Sequence, residues 1–191
     1  MSDAIRVGLV GFGYASKTFH APLIGGTPGM ALKAVASSDA DKVHADWPGV
    51  KVMSAPGDLL DDPDIDLVVI ATPNDTHFPL AKAALEAGKH VVVDKPFTVT
   101  LSQARELESL AKHCGRILSV FHNRRWDSDF LTVSALINEG QLGEVCYFES
   151  HFDRFRPQVR RRWREQAGPG SGIWYDLAPH LLDQVVVLFG L

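Results

Sequence analysis

Cysteine is scarce: Cys114 and Cys146 are the only two in 191 residues. They form neither a metal nor a redox spacing, so a reducing cytoplasm is the expected compartment. Long apolar runs are missing too. Runs such as 66–71 and 91–93 are far too short to span a bilayer. No charged leader precedes a signal-type apolar core, because a glycine-rich turn arrives by Gly11. Neither sign of charge dominates. With 19 basic and 23 acidic residues the net charge is −4, which leaves no electrostatic footprint for nucleic acid. No internal repeat is visible. What remains is 46% apolar and 22% charged, an ordinary globular composition that excludes disordered, collagenous and low-complexity chains.

The order of elements is strand, helix, strand, helix, from residue 5 to about 121. Residues 5–10 (IRVGLV) form an apolar run ended by Gly11-Phe12-Gly13. A helix over 14–24 puts Phe19 and Leu23 on one face and stops at Gly25, Gly26 and Pro28. Strands are expected at 30–36, 65–71, 90–93 and 116–121, and helices at 39–46, from 74 to Gly88, 102–114 and 127–140. The run 65–71 (IDLVVIA) has the near-continuous apolar character of a strand buried on both faces. Asn74 and Asp75 can cap the helix after it. Parallel strands need such crossovers, so the expectation is an α/β fold: a doubly wound parallel sheet of Rossmann type. After Gly143 the pattern changes. A longer strand is expected over 144–155, then an arginine-rich stretch, a glycine-rich turn at 168–172 and an amphipathic helix over 176–188. The boundary places a dinucleotide-binding domain at 1–123 and the beginning of a second, α+β domain at 124–191.

Gly11-Phe12-Gly13-Tyr14-Ala15-Ser16 follows a strand and opens a helix. In that context the first glycine permits the tight turn, the second lets backbone approach a pyrophosphate, and the helix N-terminus offers free N–H groups to phosphate. Ser16 stands where glycine or alanine is usual and is still small. A tight turn without a ligand is the alternative. A dinucleotide site also needs a discriminator after the second strand, where an acidic residue would hold the ribose 2′-OH of NAD. Here that position reads Ser37, followed by Ser38 and Asp39. Two hydroxyls can accept a 2′-phosphate and Lys42 can add charge, which leans NAD(P) binding towards NADP. Asp39 turning inward would favour NAD, and a simple capping role for 37–39 stays open.

Further motifs follow in order: Thr72-Pro73-Asn74 with His77, Asp94-Lys95-Pro96, Trp163-Arg164, and Asp176-x-x-x-His180. Together with the glycine turn they resemble the glucose–fructose oxidoreductase, inositol dehydrogenase and MocA-like family, over essentially the whole chain and most of all its bacterial oxidoreductases. The resemblance implies a Rossmann domain followed by an open-sheet α+β domain, and NAD(P)-dependent hydride transfer at a hydroxyl-bearing carbon of a sugar, cyclitol or similar polyol. It also implies a longer second domain than the stretch ending at Leu191, with the activity of this length in question. The expected partners are a small-molecule substrate and a second subunit in a homo-oligomer, with no nucleic acid and no membrane.

The resemblance assigns roles residue by residue. Lys95, at the C-terminal end of a parallel strand, can reach both nicotinamide and a substrate oxygen; Asp94 replaces the family's glutamate, and the bond before Pro96 is expected to be cis. Asp176 and His180 share a helix face at i, i+4. His180 can move the hydroxyl proton and Asp176 can orient substrate or imidazole. Thr72, Pro73, Asn74 and His77 match the nicotinamide-ribose loop, and Asn123 and Arg164 are further cofactor contacts. The family pattern has Gly-Gly-Gly and a glycine where this chain has Gly170-Ser171-Gly172 and Ala178-Pro179; a helix starting near Tyr175 tolerates that proline. A metal site of Asp176, His180 and Asp183 lacks a fourth ligand, so no metal is expected. The alternatives are a glycosidase that uses NAD transiently and a non-catalytic dinucleotide-binding regulator.

Overall fold

Six parallel strands make one sheet in the order β3-β2-β1-β4-β5-β6 in the computed structural model. It describes residues 4–153, 155–158 and 162–190. The strands are β1 (Ile5–Val10), β2 (Met30–Ala36), β3 (Lys51–Met53), β4 (Leu67–Ile70), β5 (His90–Asp94) and β6 (Leu118–Phe121). Between them run α1 (Ala21–Gly26), α2 (Ala40–His44), α3 (Pro56–Leu60), α4 (Asn74–Glu86) and α5 (Leu101–Cys114). The chain winds outward on one side of β1 and then returns to build the other side from β4. The strand order therefore reverses between β1 and β4, where open α/β sheets form a ligand crevice at the carboxyl ends.

Both faces of the sheet are covered, which explains the continuous apolar runs. Val7, Leu9, Val35 and Val69 pack into one buried cluster, while Val10, Val68, Ile70, Val91 and Val93 pack into the other. Adjacent residues of a strand thus enter different cores, and the middle positions of the central strands are apolar. The short β3 and α3 were not expected from the sequence; three residues are too few to show a period.

Arg6 clamps the base of the sheet. Its guanidinium donates to both Asp66 oxygens (2.9 and 2.8 Å) and to Asp64 (2.7 Å), and its backbone N–H reaches Asp66 Oδ2 at 2.8 Å. These bonds hold the Asp66 carboxyl at about 2, below its ordinary 3.8. A depressed carboxylate stabilises the fold fully above 3.8 and loses that contribution as pH falls through about 2. Both side chains are about one third exposed, so the pair contributes about 1 kcal/mol after solvent screening. Asp66→Asn should lower the urea midpoint at pH 6, and the difference from wild type should shrink as pH falls through about 2.

The chain divides into two compact units, Met1–Phe121 and His122–Leu191. The second contains a short turn Asn123–Trp126, α6 (Ser128–Asn138), a short turn Trp163–Glu165 and α7 (Ile173–Phe189). The strand expected over 144–155 does not form: among the described residues of this unit there is no strand at all. A lone extended segment has no neighbour to take its N–H and C=O groups, so no ladder can be built. Helix α7 starts at Ile173, directly after Gly172, so Pro179 falls in the second turn rather than the first. Asp127 occupies the cap position of α6 without a side-chain bond to the helix; its carboxylate is held by Arg124 at 2.7 Å. Among the described residues, no helix is long and apolar enough to cross a membrane.

Candidate functional site

The ends of three central strands converge on Gly11. Its N–H donates to the Ala36 carbonyl at the end of β2 (2.9 Å), and Ala71 N–H donates to the Val10 carbonyl (3.0 Å). Gly11 has φ +88°, and a Cβ there would lie 2.7 Å from the Ala71 carbonyl oxygen. Only glycine fits. A Cβ at Gly13, by contrast, would meet no protein atom within 4 Å. The first glycine is required by the chain itself; the second leaves open space above the turn. Ser16 is fully buried, and its Oγ donates to the Gly11 carbonyl at 2.8 Å, so it latches the turn as well as fitting it. A helix over 14–26 follows at once, with its free N–H groups at the turn. Tyr14 is 78% exposed, with its ring edge-on to Phe19.

Beside this turn lies a cavity of about 440 Å³. Gly11, Phe12, Gly13, Ser37, Ser38 and Thr72 line it, together with Asp39, Lys42, Ser54 and Pro56. The last two were missed by sequence reasoning because they follow the unrecognised β3. Asp39 caps α2: its carboxylate accepts from the Lys42 N–H at 3.0 Å. Ser37 Oγ accepts from the Asp39 N–H at 3.2 Å, and Ser37 N–H is bonded to Met53 at 2.9 Å. The cavity lining therefore includes the hydroxyls of Ser37, Ser38 and Ser54 and the Lys42 side chain, with the Asp39 carboxylate accepting from backbone. The turn, the helix terminus and this wall together have the donor set that a dinucleotide phosphate requires.

Two short segments leave β4 and β5 at the same end of the sheet. In the first, Thr72 Oγ1 and Thr76 Oγ1 are 2.6 Å apart, and Thr76 Oγ1 donates to the Pro73 carbonyl at 2.7 Å. Helix α4 begins at the buried Asn74 itself with Pro73 in the cap position, so the capping expected of Asn74 and Asp75 is not made. Proline fixes the entry angle instead. In the second segment the Lys95–Pro96 peptide is cis and Lys95 is half-buried. Its N–H donates to Asp94 Oδ1 at 2.7 Å. Burial works to raise the Asp94 carboxyl, but His20 beside it, the Lys95 N–H and the Lys95 charge prevail and hold it below the usual range.

His77 joins the two segments. Its ring is fully buried, with Nδ1 2.8 Å from the Pro96 carbonyl and Nε2 3.0 Å from the Thr72 carbonyl. Both partners only accept, so the ring donates to one of them when neutral and to both as imidazolium. The side chain lies within the protein rather than on the cavity wall, and what it holds is the backbone on either side.

In the second unit, α7 carries Asp176, half-buried, and His180, which is 6% exposed. Asp183, considered above as a metal ligand, is engaged elsewhere. Arg125 grips both its oxygens at 2.7 and 2.6 Å, and His122 Nδ1 stands 3.7 Å away. No cluster of three metal-ligating side chains is present among the described residues. Gln184 donates to the Arg124 carbonyl at 3.1 Å, so α7 is tied twice to the turn that contains the half-buried Asn123. The Arg164 side chain lies outside the described residues.

These features agree with the comparisons. Residues 5–122 match the oxidoreductase family with an NAD-binding Rossmann fold (GFO/IDH/MocA), and residues 134–191 match the C-terminal alpha/beta domain of the same family. The chain belongs to this oxidoreductase family. It is 78% identical over all its 191 residues to the uncharacterized oxidoreductase YdgJ of Escherichia coli, covering 55% of that protein. Over 99% of its length it is 39% identical to the scyllo-inositol 2-dehydrogenase (NADP(+)) IolW of Bacillus subtilis, of which it covers 53%. A solved oxidoreductase structure from Yersinia pestis superimposes with TM-score 0.93 at 70% identity, over 100% of this chain and 54% of that one. The chain spans about half the length of the curated relatives it matches.

Proposed function

We propose that the protein is an NADP(H)-preferring oxidoreductase acting on a CH–OH carbon, or its carbonyl counterpart, of a polyol, cyclitol or sugar-like molecule. The observation that carries this reading is the cavity beside Gly11 and Gly13, walled by Ser37, Ser38 and Lys42, with the Asp39 carboxylate engaged on backbone. A carboxylate at Ser37 would repel a 2′-phosphate; hydroxyls and an ammonium attract it. The name of IolW, a relative that uses NADP(+), supports the preference and the substrate class.

When bound, the coenzyme supplies the hydride acceptor or donor. The chain supplies position and proton handling. The phosphate turn and the helix behind it hold the pyrophosphate, and the loop at Thr72, Pro73 and Asn74 flanks the ribose. Lys95 Nζ donates to the substrate oxygen and favours its developing charge. His180 takes or returns the hydroxyl proton, and Asp176 orients the substrate or the imidazole. Asn123 and Arg164 are further coenzyme contacts in this reading. A homo-oligomer is supported by Leu182, Val187 and Phe189, each about half exposed on α7. The free thiols Cys114 and Cys146 suit a reducing compartment.

Parallel fluorescence titrations with NADPH and NADH test the coenzyme assignment. NADPH should bind more tightly, and Ser37→Asp should move the ratio towards NADH by about tenfold or more. Tighter NADH binding by the wild type overturns the preference. For the chemistry, Lys95→Met should lower hydride transfer to a polyol panel by about 10²–10⁴ while NADPH affinity is kept. Full activity in that variant overturns the role of Lys95.

A further inference from the structure

We infer that His20 is a positioning residue for Lys95, acting through the Asp94 carboxylate. The inference rests on the reading of Lys95 given above and adds a residue to it. The helix that follows the phosphate turn opens with a wide, π-type turn over Ser16–His20, in which Ala21 N–H reaches back to the Ser16 carbonyl. Such turns sacrifice hydrogen-bond geometry and recur where a functional side chain is re-aimed. This one ends on His20, whose side chain is 4% exposed. Its ring leans on Phe121 with centroids 4.3 Å apart, and Nε2 stands 3.6 Å from Asp94 Oδ2.

That distance is longer than a hydrogen bond but within reach of an ion pair. The other oxygen of the same carboxylate, Oδ1, accepts the Lys95 N–H at 2.7 Å. One half-buried carboxylate therefore has one oxygen on the residue bearing the reactive amine and the other facing the helix that follows the phosphate turn. A displacement of that helix is passed to the backbone of Lys95 through only two contacts. A histidine confined to packing would need no carboxylate opposite its nitrogen; here the nitrogen is aimed at the sole acidic group of the lysine turn.

The test is competitive labelling of lysines with acetic anhydride, read by peptide mass spectrometry, on the full chain with and without NADPH. His20→Phe keeps a ring on Phe121 and removes the nitrogen. His20→Gln keeps a terminal N–H donor of comparable reach. His20→Phe should change the Lys95 labelling rate by about threefold or more, and His20→Gln should return it close to wild type. The exposed Lys51 and Lys112 serve as internal references. Wild-type labelling of Lys95 in His20→Phe overturns the inference, as does failure of His20→Gln to restore it. If His20→Phe does not fold, His20→Asn, polar but too short to reach Asp94, carries the same expectation. Absence of NADPH binding by the wild type would overturn the proposed function, while the labelling without coenzyme still judges His20 by itself.

Discussion

Alanine at Gly11 is expected to destabilise the first unit by about 2–4 kcal/mol and to abolish coenzyme binding. Two costs add. A φ of +88° is strained for any residue with a Cβ, at about 1–2 kcal/mol. The new Cβ would also lie 2.7 Å from the Ala71 carbonyl oxygen and 3.0 Å from Thr72 Cγ2. The first of these is backbone at the end of a central strand and cannot move without disturbing β4. Gly13→Ala separates the two effects. Its Cβ meets nothing in the protein, so urea unfolding should match wild type within about 0.5 kcal/mol. The methyl would nevertheless occupy the space needed for close approach of a pyrophosphate, and the NADPH dissociation constant should rise by about tenfold to a hundredfold. Equal stability of Gly11→Ala and wild type would contradict the geometry. Undiminished NADPH binding by Gly13→Ala would contradict the location of the pyrophosphate.

The contrast between those glycines shows what the sequence could and could not reveal. The spacing Gly-x-Gly after an apolar strand was legible because the fold buries β1 on both faces and turns sharply at its end. The same double burial made β2, β4 and β5 readable, since most of their apolar residues are recruited by one core or the other. Other features depend on tertiary partners. The π-type turn at Ser16–His20 leaves no trace in periodicity, and His20 became visible only once Asp94 was found opposite it. Lys51–Met53 is too short for a pattern, yet it delivers Ser54 and Pro56 to the cavity wall. The apolar alternation over 144–155 suggested a strand, but alternation specifies a face and not a neighbour. Asp183 on α7 was weighed as a metal ligand and set aside for want of a fourth ligand; its actual partner, Arg125, holds both its oxygens from far away in sequence.

His77 provides the other large effect. With Thr72, Pro73 and Asn74 it was read as matching a loop around the nicotinamide ribose; in the structure this segment leaves the carboxyl end of β4. The imidazole, however, is fully buried and spans two carbonyls, one in that loop and one in the turn bearing Lys95. Removing it should therefore act on stability first. His77→Leu has a similar volume but removes the donor from the carbonyl that the ring satisfies, at about 1–3 kcal/mol. A loss of about 1–3 kcal/mol is expected by urea unfolding, a large share of the ~5–15 kcal/mol typical of a domain. His77→Asn can still donate to one of the two carbonyls and should recover part of that loss. Any surviving His77→Leu protein should also lose the coupling between the two segments, so that amide hydrogen exchange speeds up at Thr76 and Lys95 together rather than at one alone. A loss below about 1 kcal/mol, or faster exchange at only one of the two, would show that the loop and the lysine turn are held independently and that the histidine merely fills space.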